Sequence, residues 1–326
     1  MEPIFLKGET KNYIWGGTKL KKLFGKASVS ENIAESWELS CNEAGISTVI
    51  SGSDRGLSLT EYIEKNGAEN VLGRECMRIE SVPLIKLIDA KEPLSVQVHP
   101  DDDYARKKGY KCGKSEMWYI IDAEEGAELI LGMNECMTAE KFRQHIENGT
   151  VESVLRHVPV KKGDVFFIPA GTLHAIGKGI LIAEVQQNSD ITYRVYDYDR
   201  KDAQGKPREL HIEDAIAAAR LVPAELSFPF CNMDRIDFAW GRKKSLWACG
   251  YFVTALEKVC RKVTRAGNDS VYRHFLILEG EGTLTAEGIS YSIKKGDSIL
   301  LPPMNGNYCI DGELEYLSTF SLDAEE

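Results

Sequence analysis

Val160-Lys161-Lys162-Gly163-Asp164-Val165-Phe166-Phe167-Ile168-Pro169 returns 133 residues later as Ile293-Lys294-Lys295-Gly296-Asp297-Ser298-Ile299-Leu300-Leu301-Pro302. Each copy reads as a Gly-Asp turn, a short apolar run and a proline, the punctuation of a strand entered through a tight turn. Lys-Lys-Gly-Asp alone is a common turn, but turn, strand and proline recurring together point to a repeat. A second pair agrees: Tyr119 to Gly126 resembles Phe275 to Gly282, each with an acid-and-glycine turn. Two copies of one β unit are expected.

Behind the first copy runs Pro169-Ala170-Gly171-Thr172-Leu173-His174-Ala175, and short strands with Gly-Asp turns continue through the last third. The fold class expected is mainly β: a double-stranded β-helix of jelly-roll or cupin type, as a bicupin with a few short helices. Residues 1–235 would form the first domain with helical insertions, and residues 236–326 a second cupin-like domain. The repeat offset sets Asn307 where the first copy has His174, so only the first copy would carry that histidine.

Upstream lies Ser95-Val96-Gln97-Val98-His99-Pro100, then Lys114-Ser115-Glu116-Met117-Trp118-Tyr119. Alternation on a strand turns Gln97 and His99 to one face and Val96 and Val98 to the other. If Glu116 and His174 arrive at the same place, the four offer an O/N/O/N set suited to a borderline divalent ion such as zinc. No helix or hairpin could join residues so spaced; a β-barrel can. Taken singly, each has a plainer reading: an interior histidine as a core group, a glutamate in solvent, Lys114 on an exposed turn. On a strand Lys114 would share a face with Glu116, and Thr192 with Arg194. Arg200, Lys201 and Arg208 add positive charge nearby.

Elsewhere the chain alternates strands and helices. Ile33 to Ser40 alternates as a half-buried strand does, and Leu59 to Leu72 reads as one helix with Ser58 as N-cap and Gly73 as stop. Thr138 to Arg156 reads as two short helices broken at Asn148-Gly149, and His211 to Leu221 as another. Tyr13-Ile14-Trp15-Gly16-Gly17 sets an aromatic beside a flexible double glycine. From Phe252 onward short strands and turns dominate.

Composition bounds the function. The 326 residues are 43% hydrophobic and 28% charged, an ordinary globular mix able to bury a sizeable core. A formal charge of -10 argues against nucleic acid or an anionic membrane as a general partner, so an anionic substrate needs a local basic cluster. Neither a leader-like start nor a stretch of 18 apolar residues is evident, and a cytoplasmic protein is expected. The eight cysteines show no C-x-x-C spacing and read as reduced structural thiols, Cys112 near the proposed site included.

Together these residues resemble the type I mannose-6-phosphate isomerases (phosphomannose isomerases) in their short bacterial form. The resemblance runs through Trp15-Gly16-Gly17, Ser95 to Pro100, Lys114 to Tyr119, Pro169 to Gly177, Gln186 to Arg194 and on to Asp202. It implies one zinc per chain held by Gln97, His99, Glu116 and His174, with Arg194 as the catalytic arginine. Lys114 and Glu184 would be the proton-transfer candidates, and Trp15, Glu35 and Asp190 would line the pocket. A hexose 6-phosphate is the implied substrate, isomerised through a cis-enediol, with no obligate protein partner. Two positions depart from the pattern: Ile191, where many relatives have Asn, and Ser115, where many have Pro. Rival readings are an iron-dependent cupin dioxygenase and a sugar-sensing or structural bicupin, separable by metal content and isomerase activity.

Overall fold

A computed structural model describes residues 1–201, 205–225 and 235–323; Asp202 and Cys231 lie outside them. Three sheets carry the chain. A six-stranded sheet runs in the order Val165–Ile168, Glu116–Ala123, Ile180–Gln186, Leu84–Ala90, Glu35–Leu39, Glu9–Lys11. A five-stranded sheet runs Tyr193–Tyr196, Val96–Val98, His174–Ile176, Glu128–Met133, Leu155–Pro159. The third has ten strands, mostly from residue 235 onward, and also takes in Ile4–Lys7 and Thr48–Val49.

Strand alternation explains the layering. Along the six-stranded sheet Trp118, Ile120, Ile182 and Ile88 pack against Leu129, Leu131 and Ile176 of the five-stranded sheet. Their neighbours Met117, Tyr119, Ala183 and Leu87 face the other way, into a core shared with Leu246, Phe252, Tyr272 and Leu317. The outer face of the five-stranded sheet is covered through Val96, Val98, Phe142 and Ala215, the last two from helices Ala139–Glu147 and Ile212–Ala218. Truncating one such large side chain to Ala typically costs about 2–5 kcal/mol. The inner strands of the six-stranded sheet are therefore buried on both faces. That corrects the half-buried reading of Ile33 to Ser40, because Glu35–Leu39 is buried at every position. Its Glu38, on the face toward the third sheet, is paired with Lys26 at 2.6 Å.

The repeated units superpose in hydrogen bonding. Lys161 N–H donates to Asp164, and Lys294 N–H to Asp297; Gly163 and Gly296 turn the chain at φ 90° and 92°, where a side chain is strained. Gly163 N–H then bonds Ile120 O, and Gly296 N–H bonds Ile277 O. Val165 lies opposite Tyr119, and Ser298 opposite Leu276. Tyr119 thus corresponds to Leu276, one residue from the Phe275 suggested by sequence. The apolar run around Phe275 permits either alignment, whereas strand pairing does not. By the corrected register Glu116 corresponds to Arg273, because Ile168 pairs with Glu116 and Leu301 with Arg273.

Other boundaries also moved. The expected helix over Leu59 to Leu72 is two, Leu59–Asn66 and Ala68–Val71, separated by Gly67 at φ 84°. Ser58 does cap the first, in a capping box with Glu61. After Asn148-Gly149 only a single 3-10 turn, Val151–Val154, precedes a strand that includes Arg156. The last third contains 14-residue strands, Arg273–Ala286 and Asn307–Phe320, rather than short ones only. No helix among the described residues is long and apolar enough to cross a membrane.

One buried histidine makes stability depend on pH. His274 Nε2 lies 2.8 Å from Ser298 Oγ, which donates to Glu38 O, so Nε2 carries the proton and Nδ1 has no partner. Burial, assisted by the Lys26 charge, pushes its pKa down to about 3. A depressed folded pKa gives stability that is whole above the ordinary value near 6.5 and is lost as pH falls toward 3. Between pH 6.5 and 5 the expected loss is about 2 kcal/mol. By urea unfolding at both pH values, the loss should be smaller in His274→Gln than in the native chain by this increment; an equal pH response in the two would refute it.

Candidate metal centre and active site

Cross-strand partners share a face, and two rows of partners flank one cavity, which Trp37, Lys86 and Glu184 of one row and Arg194 and Gln97 of the other line directly. Across the six-stranded sheet Trp37, Lys86, Glu184 and Trp118 stand directly opposite one another in turn. Across the five-stranded sheet the row is Arg194, Gln97, His174. The cavity between them is about 360 Å³, with Trp15, Glu35, Lys86, Gln97, Glu184 and Arg194 in its wall.

Next to Gln97 and Lys114 of that wall, His99, Glu116 and His174 bring one ligand atom each to within 4.8 Å of the others. His99 follows directly on strand Val96–Val98, Glu116 begins its strand, and His174 begins another. All three are essentially inaccessible to solvent. His174 Nδ1 faces Thr172 O at 2.8 Å, which makes it the N–H and leaves Nε2 as a lone pair with no hydrogen-bond partner. Both ring nitrogens of His99 and Oε1 of Glu116 likewise have no hydrogen-bond partner, although the Lys114 ammonium stands 3.0 Å from that oxygen. His99 Nε2 and Glu116 Oε1 approach to 2.9 Å, but the approach lacks hydrogen-bond alignment. Burial pushes His99 down to about 3 and lowers His174, so both imidazoles are neutral donors of electron pairs. Burial alone would raise Glu116, but the Lys114 charge and His99 outweigh it and hold the carboxyl well below its usual range. Neutral imidazoles and one ionised carboxylate are the protonation states a borderline metal takes.

Beside this cluster sits a buried charge network. Trp118 Nε1 donates to Glu116 Oε2 and to Glu184 Oε2, 2.9 Å each. Lys86 Nζ stands 3.3 Å from Glu184 and 3.6 Å from Glu35, and Trp37 Nε1 donates to Glu35. Burial, with the Glu116 charge, raises Glu184 to about 7. Burial opposes a charge on Lys86, yet Glu35 and Glu184 outweigh it and raise its pKa. Lys114 meets Glu116 at 3.0 Å, from the loop before the strand and not from the strand itself. Arg194 Nε donates to Ser95 and Nη1 to Glu209 O, which fixes the direction of the guanidinium.

Gln97, His99, Glu116, His174, Lys114, Glu184, Arg194, Trp15 and Glu35 all reach this neighbourhood, and Asp190 lies at the cavity's exposed rim. Trp15 is set there by close packing and not by flexibility: a Cβ on Gly16 would fall 2.7 Å from Ala34 Cα, and one on Gly17 2.4 Å from the Asp89 carboxylate. Of the three added cations, Arg208 reaches the cavity, while Arg200 is tied to Asp197 and Pro93 O, and Lys201 is exposed. Ile191 is buried in the core with Val98 and Tyr193. Cys112 is outside the cavity wall, its thiol pushed up to about 11 by burial. Sequence reading missed Lys86, Trp37 and Trp118. Lys86 had one available signal, a charge in the middle of the apolar run Leu84 to Ala90.

Residues 4–145 match the family model for the type I phosphomannose isomerase catalytic domain, and residues 242–321 match the mannose-6-phosphate isomerase cupin domain. Among curated relatives, the chain is 38% identical over 321 residues to the mannose-6-phosphate isomerase of Streptococcus mutans serotype c, covering 98% of each chain. It is 40% identical over 321 residues to the mannose-6-phosphate isomerase ManA of Bacillus subtilis, covering 96% of this chain and 97% of that one. The crystal structure of the mannose 6-phosphate isomerase from Bacillus subtilis superposes with a TM-score of 0.89 at 37% identity, over 98% of this chain and 99% of that one.

Proposed function

The chain belongs to the type I phosphomannose isomerases, and from that premise we propose that it interconverts mannose 6-phosphate and fructose 6-phosphate as a zinc-dependent isomerase. The observation that carries the metal reading is the buried cluster of His99, Glu116 and His174, whose ligand atoms lie within 4.8 Å of one another without hydrogen-bond partners, next to the cavity-lining Gln97 and Lys114. Gln97, opposite His174 in register, supplies the fourth donor. One zinc per chain fits an N/O set of this kind. In this reading residues 1–235 are the catalytic cupin domain, and residues 236–326 are a second copy that completes a bicupin without a metal site. Arg273 and Asn307 stand there in place of Glu116 and His174. The enzyme works in the cytoplasm on a free hexose phosphate and needs no protein partner.

The chemistry is movement of a proton between C2 and C1 through a cis-enediol. A bound zinc supplies Lewis acidity toward the sugar's adjacent oxygens. Glu184 is the general base: a carboxyl raised to about 7 takes a carbon-bound proton and returns it at neutral pH. Lys86 and the Trp118 N–H hold that carboxylate from either side. Lys114 is engaged with Glu116 and places a positive charge beside the reacting oxygens. Arg194 stabilises the negative charge of the enediolate. Trp15, Glu35 and Asp190 shape the sugar-binding cavity, and Arg194 with Arg208 answers the substrate's negative charge in an otherwise acidic protein.

A coupled assay before and after metal removal tests this. Dialysis against a chelator should abolish interconversion, and stoichiometric zinc should restore it. Full activity in a chain freed of metal would overturn the reading.

A further inference from the structure

The role of the C-terminal copy is open, since by the corrected register it lacks counterparts of Glu116 and His174. One of its side chains nonetheless reaches the loops that carry the metal-binding residues. Tyr251 lies in the turn between strands Gly241–Ala248 and Val253–Val259, and its hydroxyl donates to Asp102 Oδ2 at 2.8 Å. Asp102 opens the helix Asp102–Lys107, three residues after His99.

Asp102 accepts from three separate segments. Its Oδ1 takes Gly113 N–H at 2.7 Å and Gln187 Nε2 at 3.0 Å, while Oδ2 takes Tyr251. An ionised carboxylate only accepts, so Gln187 must present its NH₂ group to Asp102 and its carbonyl oxygen away. That oxygen receives Ser115 N–H at 2.8 Å, and Gln187 N–H in turn donates to Ser115 O. A proline at 115 could not make the first of these bonds. Ser115 Oγ then accepts Ala170 N–H at 3.2 Å, on the return that leads to His174. The chain of contacts thus runs from Tyr251 through Asp102 and Gln187 to Ser115, which sits between Lys114 and Glu116.

We propose that Tyr251 and Asp102 are positioning residues through which the C-terminal copy holds the Lys114-Ser115-Glu116 segment, and with it the metal-binding geometry, in place. Neither touches the metal-binding atoms or the sugar cavity. The dependence of turnover on this strut rests on the isomerase reading; the dependence of metal retention does not.

Tyr251→Phe removes one oxygen and keeps the ring, so the fold should survive. It is expected to release zinc to a chelator about three- to tenfold faster and to lower kcat by a similar factor, with KM within about twofold of the native value, the scale of one hydrogen bond to a charged group acting partly through its neighbours. Asp102→Ala should have a larger effect of the same kind, and adding Tyr251→Phe to it should change nothing more, because the two act in one chain of contacts. Arg74→Ala breaks the exposed Arg74 and Asp269 pair between the same two parts of the molecule, and should leave both readouts unchanged. Native zinc release and turnover in Tyr251→Phe would overturn the proposal. So would additive effects in the double variant, or an equal change in Arg74→Ala. Altered zinc release in a chain whose native form shows no isomerase activity would keep the strut and sink the functional reading.

Discussion

Replacing His174 with alanine is expected to empty the metal centre and to lower kcat/KM by on the order of a thousandfold or more. The argument rests on the tautomer. Thr172 O takes the Nδ1 proton, so Nε2 offers an unshared pair into a space where His99 and Glu116 also present unpartnered atoms. Alanine removes one donor, and a site left with fewer protein ligands holds zinc poorly. The fold should tolerate the change, since His174 is one residue of a short strand flanked by Leu173 and Ala175 in an apolar core. Arg194→Ala makes the contrast. Arg194 is anchored by Ser95 and Glu209 O outside the His-Glu-His cluster, so its loss should leave zinc bound while kcat falls by about 10²- to 10³-fold. Metal content and turnover measured on the same preparations decide it. His174→Ala retaining a full complement of tightly bound zinc would remove that residue from the ligand set, and normal turnover in Arg194→Ala would remove the arginine from the reaction.

How much of this was legible in the sequence follows from what each residue's role requires. Gln97 and His99 could be set on one face because strand alternation acts locally, the Pro-Ala-Gly-Thr-x-His return and a repeat lacking the histidine marked His174, and Glu116 joined them as a candidate only on the condition of convergence and through the family resemblance. Convergence itself depended on which strands pair, and that is set by register between segments some 50 to 80 residues apart. Phe275 shows the difficulty: in a run apolar on both faces, composition does not distinguish one alignment from the next, and a slip of one residue exchanges every side chain's face. The same double burial made Glu35 to Leu39 look like a half-exposed strand, because Ser36 and Glu38 are polar yet enclosed. Helix ends failed where a single residue decides them, as Gly67 does by turning at a positive φ between two helices. Trp37, Lys86 and Trp118 were not legible as site residues because their roles lie in being neighbours across strands. Lys86 between two glutamates is a fact of pairing, with Glu184 directly opposite it and Glu35 one strand over.

That cation carries the second large expectation. Lys86→Met should cost about 3–5 kcal/mol of stability, the range for removing one partner of a buried ion pair, because it strands two enclosed carboxylates and also withdraws a cation from the Trp37 ring. Methionine fills most of the aliphatic volume, so the loss is electrostatic and not a cavity. Its sign with pH follows from Glu184. Burial raises that carboxyl to about 7, the Glu116 charge adds to the effect, and Lys86 is the largest influence pulling it down. Without Lys86 the folded pKa rises further, while the unfolded value stays in the ordinary carboxylate range. A raised folded pKa means stability that is present at low pH and lost as pH climbs through the folded value, so the variant should be penalised more at pH 8 than at pH 6. If Glu184 must be ionised to accept the C2 proton, the rising limb of the rate profile should shift to higher pH as well. Adding Glu35→Gln removes one of the stranded charges and should recover part of the stability. Urea midpoints at the two pH values, with the pH-rate profile, test all of this. A variant as stable as the native chain at pH 8, or one whose rising limb stays in place, would show that Glu184 is not held by Lys86.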